Sequence, residues 1–261
     1  MKTSTLRVLL WTVLMVPVMA FGQQNIQDST INFGWISMGY IASGPGGDLD
    51  DRFGLTSHLL IEGGYKFKSN FYFTGGAEFL FGNRINEPIA QGITSLNGTP
   101  ETGYLQQAIG ADGRWYNVTM FQRGFIVPIR FGKLIPIVKT HNQNSGIFFE
   151  LGGQFIQHKV RINAEGDNVP QLANEFLPGY DRLTNGIGLT EAFGYRFHSN
   201  RRLINFQIGI HLSQNFTQSR RDFNYDYGFK DDRQRLDLLN GIRFGWIFPI
   251  YQSVDTRAIY R

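Results

Sequence analysis

Eight stretches of this chain alternate in side-chain character with a period of two, and that rhythm leaves few folds open. Residues 203–216 show it most cleanly: Ile204, Phe206, Ile208, Ile210, Leu212 and Phe216 share one face, and Asn205, Gln207, Gly209, His211, Ser213 and Asn215 share the other. A period of two belongs to a strand whose faces meet different environments, since successive side chains point to opposite sides of a sheet. The same split runs through 53–67, 71–85, 147–162 and 235–248. It is less strict in 115–131 and 184–197, where Arg123 and Glu191 interrupt the apolar face, and weakest in 32–42, where both faces carry apolar side chains. We therefore expect an all-β fold, an eight-stranded antiparallel up-and-down β-barrel.

The intervals between these stretches are unequal. Residues 68–70 and 198–202 are tight turns, whereas 43–52, 86–114, 163–183 and 217–234 are longer and polar. Short turns at one end and long loops at the other are the asymmetry of a transmembrane barrel. The interval 132–146 is long for a turn, and its Leu134-Ile135-Pro136-Ile137 run is expected to continue a strand or to pack at the barrel's base.

Alternation alone leaves open which face points outward. Composition argues for the apolar one: 31 glycines and only 18% charged residues, against roughly 25% charged in soluble domains. A solvated outer face would tolerate many more charges. Eight strands enclose a lumen just wide enough for side chains to fill. The glycines and the sparse charges of both signs on the polar faces suit such an interior. Aromatic residues gather near strand ends (Tyr65, Phe67, Phe71, Phe73, Tyr195, Phe197, Trp246, Phe248), as the girdles of a membrane barrel do. Closure also satisfies every backbone group, which an open sheet in lipid cannot do.

Residues 1–22 read as a secretory leader: Lys2 and Arg7, then the apolar run 8–18, then Ala20-Phe21-Gly22 as a small-x-small cleavage site. The run is too short for a membrane-spanning helix, which takes about 20 residues. We divide the chain into the leader 1–22, a barrel 23–250 and a periplasmic tail 251–261. The formal charge of +4 is no footprint for nucleic acid. The absence of cysteine excludes a disulfide scaffold, a thiolate metal site and a cysteine nucleophile.

Gly241-Ile242-Arg243-Phe244-Gly245-Trp246 resembles the last-strand signal that the barrel-assembly machinery reads in outer-membrane proteins, although Leu239 stands where a polar residue is usual and 252–261 trail the strand. Gly124-Phe125-Ile126-Val127-Pro128-Ile129-Arg130-Phe131 is similar to the apolar-Pro-apolar strand of PorT-like barrels of the Bacteroidetes type. Together these resemblances, over 32–250, imply a small Gram-negative outer-membrane barrel with the architecture of the OmpA transmembrane domain and OmpX. They imply the cell outer membrane as its place, with membrane lipid, lipopolysaccharide and the assembly machinery as partners, and a larger outer-membrane complex as a further possible one. They carry over no specific activity.

The chemistry-bearing residues fall into three groups. Glu62, Lys66, Glu78, Arg84, Arg130, Glu150, Arg196 and Arg243 lie on the polar faces and are expected to form an interior ion-pair network. The competing use of Glu62, Glu78 and Glu150 with His58 is a carboxylate cluster for a metal or for acid–base work. Arg220, Arg221, Phe223, Tyr225, Tyr227 and Phe229 in 217–234 either continue a hairpin beyond the membrane or form an aromatic, charged surface for a partner protein or glycan. His211 and Ser213 resemble the His-x-Ser of outer-membrane lipid A deacylases, with Gln214 where those enzymes carry Asn, but their face points into the barrel, away from lipid. Asp48, Asp50 and Asp51 offer a calcium alternative to a plain acidic loop. No cofactor, resident metal or catalytic residue is expected. The reading is a non-enzymatic barrel serving membrane integrity, adhesion or a larger complex, with a lipid-modifying hydrolase or a narrow solute pore as alternatives.

Overall fold

The computed structural model describes residues 29–90, 94–96, 106–137, 142–164, 169–199 and 204–251. The leader 1–22, much of the interval 86–114 and all of the tail beyond Tyr251 lie outside them. The strands are β1 (Phe33–Gly47), β2 (Thr56–Lys66), β3 (Phe71–Gly82), β4 (Thr94–Leu96), β5 (Gln106–Ile109), β6 (Trp115–Ile135), β7 (Gly146–Ala164), β8 (Thr184–Phe197), β9 (Phe206–Ser219) and β10 (Gln234–Ile250). Eight of them close a ring in the order β1-β2-β3-β6-β7-β8-β9-β10, with β1 returning to pair β10 and every neighbour antiparallel. The short β4 and β5 stand outside the ring, as β5 pairs with the first residues of β6.

The eight expected strands and the eight of the ring differ only in length, whereas β4 and β5 are additional strands inside the interval 86–114, which the sequence reads as a loop. β1 runs past Ala42 to Gly47 because Ser43 pairs with Thr56 and the strand keeps a full ladder with β10 up to Gly47↔Asp237. Leu134 and Ile135 extend β6, whereas Ile137 lies beyond the strand and is exposed. Pairing on the β9–β10 hairpin stops at Gln218↔Gln234, and a single isolated bridge, Asn224↔Phe229, closes the loop. The alternating aromatics of 223–229 therefore do not continue a ladder.

The outer wall carries the apolar phase. Ile61, Phe73, Phe79, Ile129, Phe149, Ile187, Ile208, Ile242 and Phe244 are all half or more exposed or nearly so, on every strand of the ring except β1, which adds Ile36, Met38 and Tyr40. Exposed aromatic and aliphatic side chains around the whole circumference exceed what a water-facing surface tolerates. A bilayer is the solvent that suits them, and the closed ladder leaves no strand edge in it. This is a transmembrane β-barrel.

Inside, the lumen has three levels. At the end where the turns lie, Ile31, Phe33, Trp35, Tyr72, Leu134, Phe148, Ala192 and Ile247 form an apolar plug. The middle is polar. At the loop end a second apolar core joins Leu80, Ile126, Ile156, Val160 and Leu239 from the strands to Leu49, Phe53, Ile85, Ile89, Ala90, Val169 and Leu172 from the loops. The sequence predicts an interior plugged by polar side chains; the polar filling is confined to the central level, because the strands outrun it and the loops fold back onto their tops as an ordinary water-excluding cap. Two interior glycines make room for the plug. Gly64 faces Trp35 and Gly132 faces Tyr72 across their strand pairs, and at either glycine a Cβ would collide with the aromatic ring.

Candidate functional site

The central level is built by strands whose inward phase places an ionisable side chain at mid-barrel. Glu62 comes from β2, Glu78 from β3, Arg130 from β6, Glu150 from β7, Arg196 from β8 and Arg243 from β10, all buried. They join in one alternating chain. Arg130 Nη2 donates to Glu78 Oε1 at 2.5 Å and its Nη1 to Glu62 Oε1 at 2.5 Å. Arg243 links Glu62 Oε2 to Glu150, donating from Nη1 to Glu150 Oε2 at 2.9 Å. Arg196 Nη2 closes the chain on Glu150 Oε1 at 2.8 Å.

Three carboxylates and three guanidiniums leave the chain neutral. Neutrality and dense hydrogen bonding are the conditions under which buried charges can offset their desolvation. Further partners fill the remaining sites: Tyr72 Oη donates to Glu150 at 3.0 Å, Arg196 donates to Gln207 Oε1, and the Thr190 hydroxyl accepts from Arg130 Nε. His58 Nδ1 sits 2.9 Å from Glu78 Oε2, with its Nε2 on the Ser43 hydroxyl. The Arg196 guanidinium also lies over the Trp35, Tyr72 and Phe148 rings at 5.0, 4.4 and 5.2 Å, which ties the polar level to the plug beneath it.

Two residues expected in this network stand apart from it. Arg84 lies two residues beyond the end of β3 and is exposed, with no carboxylate partner among the described residues. Its even number matches the inward phase, but the continuous ladder that enforces the phase ends at Gly82, with only the Gly54 amide on the Arg84 carbonyl and an isolated Phe53–Ile85 bridge beyond it. Lys66 is buried at the turn end, where the Ile31 and Phe67 carbonyls and Asn144 Oδ1 take its hydrogen bonds. His211 and Ser213 are both sealed inside: His211 Nε2 contacts Thr190 Oγ1, and the Ser213 hydroxyl accepts from Asn215 Nδ2. No His211–Ser213 hydrogen bond exists among the described residues. Those residues also hold no group of three or more His, Asp or Glu placed to bind a metal.

The loop-end cap has its own ion pairs, on residues the sequence did not single out. Glu87 accepts from Arg52 Nε at 2.8 Å, Arg182 Nε at 2.9 Å and Tyr227 Oη at 2.7 Å. Arg182 also reaches Asp226 at 2.7 Å, and Asp226 accepts the Ala90 amide. Burial pushes the Glu87 carboxyl up, but the Arg52 and Arg182 guanidiniums and the Tyr227 hydroxyl outweigh it and hold the group below its ordinary value. Asp231 is held down in the same way, with Arg235 and Arg233 overcoming burial. Their isolated occurrence in loops gave no periodic signal.

Of the six loop residues singled out from sequence, two are turned inward. Arg221 clamps Asp181 with two hydrogen bonds at 2.8 and 2.5 Å, and Tyr227 lies under Arg182. Arg220 is exposed, its Nε on Asn185 Oδ1 at 2.5 Å. Phe223, Tyr225 and Phe229 are 46%, 45% and 61% exposed, far more than rings in a settled cap need be. Tyr225 also lines a cleft of about 480 Å³ with Pro170, Gln171, Phe176 and Tyr180. The Tyr225 ring lies against Gly179, where any side chain would displace it.

On the outer wall the two breaks in the apolar phase differ in kind. Arg123 donates to the Gly82 and Gln122 carbonyls and stacks on Phe121, at the loop-end rim. Glu191 lies mid-strand, flanked on its own face by Leu189 and Phe193 and paired with Leu151 and Leu212 on the neighbouring strands, with no ion-pair partner among the described residues.

No protein-family model and no curated protein matches the chain. Among solved structures it is similar to Ail, the attachment invasion locus protein of Yersinia pestis, crystallised with the heparin analogue sucrose octasulfate (13% identity, 82% of this chain and 99% of Ail covered, TM-score 0.35). It is also similar to Neisserial surface protein A (9% identity, 82% and 96% covered, TM-score 0.37) and to the outer membrane protein OprG from Pseudomonas aeruginosa (9% identity, 87% and 98% covered, TM-score 0.33). The class of this chain rests on its own closed ring and inverted faces.

Proposed function

We propose that this is a non-enzymatic outer-membrane protein, a sealed barrel that holds a folded loop cap at the cell surface for binding a protein or glycan. In this reading the leader 1–22 directs export, the Gly241–Trp246 segment serves the assembly machinery, and the turns face the periplasm. The Glu62, Glu78, Arg130, Glu150, Arg196 and Arg243 chain is a scaffold: it fixes the frame and leaves no conduit.

The observation that carries the reading is the contrast within the cap. Its base is a buried core locked by Glu87, Arg52 and Arg182, while Phe176, Phe223, Tyr225 and Phe229 remain 40–61% exposed on top. Aromatic rings left exposed above a packed base are what recognition surfaces use as anchors. Against a hydrolase stands the burial of His211 and Ser213, which lipid cannot reach.

The test compares the wild-type chain with a Phe223→Ser/Tyr225→Ser/Phe229→Ser variant, both reconstituted, on panels of surface glycans and matrix proteins. The reading expects a ligand retained by the wild type and lost by the variant, with barrel closure unchanged. Wild-type binding that survives the triple substitution overturns it, as does wild type that retains nothing on either panel.

A further inference from the structure

One wall of the barrel, β7 to β10, carries a recess of about 630 Å³ at its loop-end rim. Its lining changes character along every strand that builds it. Asn185 precedes Ile187 on β8, Gln218 follows Phe216 on β9, and Gln234 precedes Leu236 on β10. The sheet register aligns these residues across the wall. Phe155 pairs with Ile187, Ile187 with Phe216 and Phe216 with Leu236, which makes an apolar row. Asn185 pairs with Gln218 and Gln218 with Gln234, a row of amides directly above it.

Arg220 completes the recess. Its backbone amide is tied to the Leu183 carbonyl at 2.8 Å and its Nε to Asn185 Oδ1, so the guanidinium is fixed at the amide row. Its two Nη groups have no acceptor among the described residues. The other arginine of the lining, Arg235, is buried and committed to Asp231 at 2.5 Å. The one carboxylate, Asp48, is engaged through Oδ2 with the Leu236 amide at 2.6 Å. Ile187 and Phe216, at 70% and 62%, are among the most exposed apolar side chains of the wall.

We infer that this recess binds a phosphorylated lipid of the surrounding leaflet, its phosphate on Arg220 and the amide row, its acyl chains on Ile187, Phe216, Leu236 and Phe155. The inference rests on the transmembrane reading of the barrel and names the lipid chemistry that one wall selects. A planar guanidinium donates two parallel hydrogen bonds to a phosphate, and the Asn185 and Gln234 amides supply further donors beside Gln218, whose Nε2 already donates to the Asp232 carbonyl at 2.8 Å. A free phosphate would leave the apolar row uncovered, and a neutral lipid would leave Arg220 without its anion. Neither alone matches a lining that turns from amide to hydrocarbon within two residues on three adjacent strands.

The experiment uses the full mature chain in mixed micelles, with bound lipid counted by native mass spectrometry. The probes are bis-phosphorylated lipid A, the same lipid with its phosphates removed, an anionic glycerophospholipid and inorganic phosphate. Wild type is expected to retain a phosphorylated lipid at least about tenfold more than dephosphorylated lipid A, and to retain no inorganic phosphate. Which of the two phosphorylated lipids is held more tightly distinguishes a glycolipid from a glycerophospholipid as the source. Arg220→Ala should remove most of this preference, Arg220→Lys should keep part of it, and Lys230→Ala, the same charge change at another exposed site, should leave it intact.

Equal retention by wild type and Arg220→Ala overturns the inference, and so does equal retention of lipid A with and without phosphate. A Phe216→Trp reporter, whose emission should shift on adding the phosphorylated lipid alone, covers the case in which Arg220→Ala does not fold. Heat-shifted gel mobility, scored on each sample, shows separately whether the barrel itself is closed, so a failed transmembrane reading is not mistaken for a failed lipid site.

Discussion

Arg243 is the middle link of the interior chain, and breaking it should cost far more than its own hydrogen bonds. Arg243→Met leaves Glu62 with Arg130 and Glu150 with Arg196, but the six-membered set then carries one unbalanced negative charge in a sealed lumen. Removing one partner of a buried charge pair typically costs about 3–5 kcal/mol, and the full range is expected here because both carboxylates are buried at 2% exposure or less. Glu62→Gln unbalances the set the other way, and losing a charged acceptor costs about 2–3 kcal/mol. The double variant restores neutrality as two closed pairs, Glu78–Arg130 and Glu150–Arg196. Its cost should therefore be no more than that of Arg243→Met alone, a coupling of at least about 2 kcal/mol. Reversible urea unfolding in phospholipid vesicles, followed by tryptophan emission, measures all four corners of the cycle. Costs that add to within about 0.5 kcal/mol, or an Arg243→Met cost below that of an ordinary surface change, would refute the idea of a single neutral chain.

Other consequences are open to measurement. Glu191→Leu, which removes a carboxylate from the lipid-facing wall, should raise stability in vesicles by about 1–2 kcal/mol, and a loss of stability would mean that Glu191 is satisfied by a partner. The carboxyl of Glu87 is held below its ordinary value of 4.5, so its contribution to the cap is complete above that value and disappears as pH falls through the lowered one. Hydrogen exchange over 220–233 should therefore be flat from pH 8 to 5 once corrected for intrinsic rates, and should quicken only below about pH 4.5 while the strands stay protected; loosening near neutrality would contradict the assignment. Planar bilayers should show no discrete conductance steps, because an apolar core closes the lumen at each end, and a stepwise current would break that account.

The fold was legible because each strand separates two environments, and Ile208 against His211 or Phe79 against Glu78 records that separation residue by residue. What escaped the sequence lies where the period stops meaning anything. Arg84 keeps the inward phase on paper, but the ladder that enforces the phase ends at Gly82. Leu80, Ile126, Ile156, Val160 and Leu239 sit on the polar phase near the loop end and mark the upper core; a reading that averaged each face over its whole strand hid them. The cap's ion pairs join Arg52, Glu87, Arg182 and Asp226, which are up to 174 positions apart in the numbering, and loops carry no register from which such a meeting can be foreseen. Within the strands the opposite held, since inward charges in an eight-stranded ring have few other side chains to reach.

Two native tryptophans on the same scaffold face opposite ways and probe the inversion directly. Trp246 is 49% exposed on the outer wall, whereas Trp35 is 3% exposed and faces the lumen above Gly64. With Trp115 replaced by Phe and either Trp35 or Trp246 retained in a chain of residues 23–261, vesicles containing acyl-brominated lipid should quench Trp246 strongly and leave Trp35 nearly untouched. Equal quenching of the two, or stronger quenching of Trp35, would mean that the apolar face does not look out at lipid.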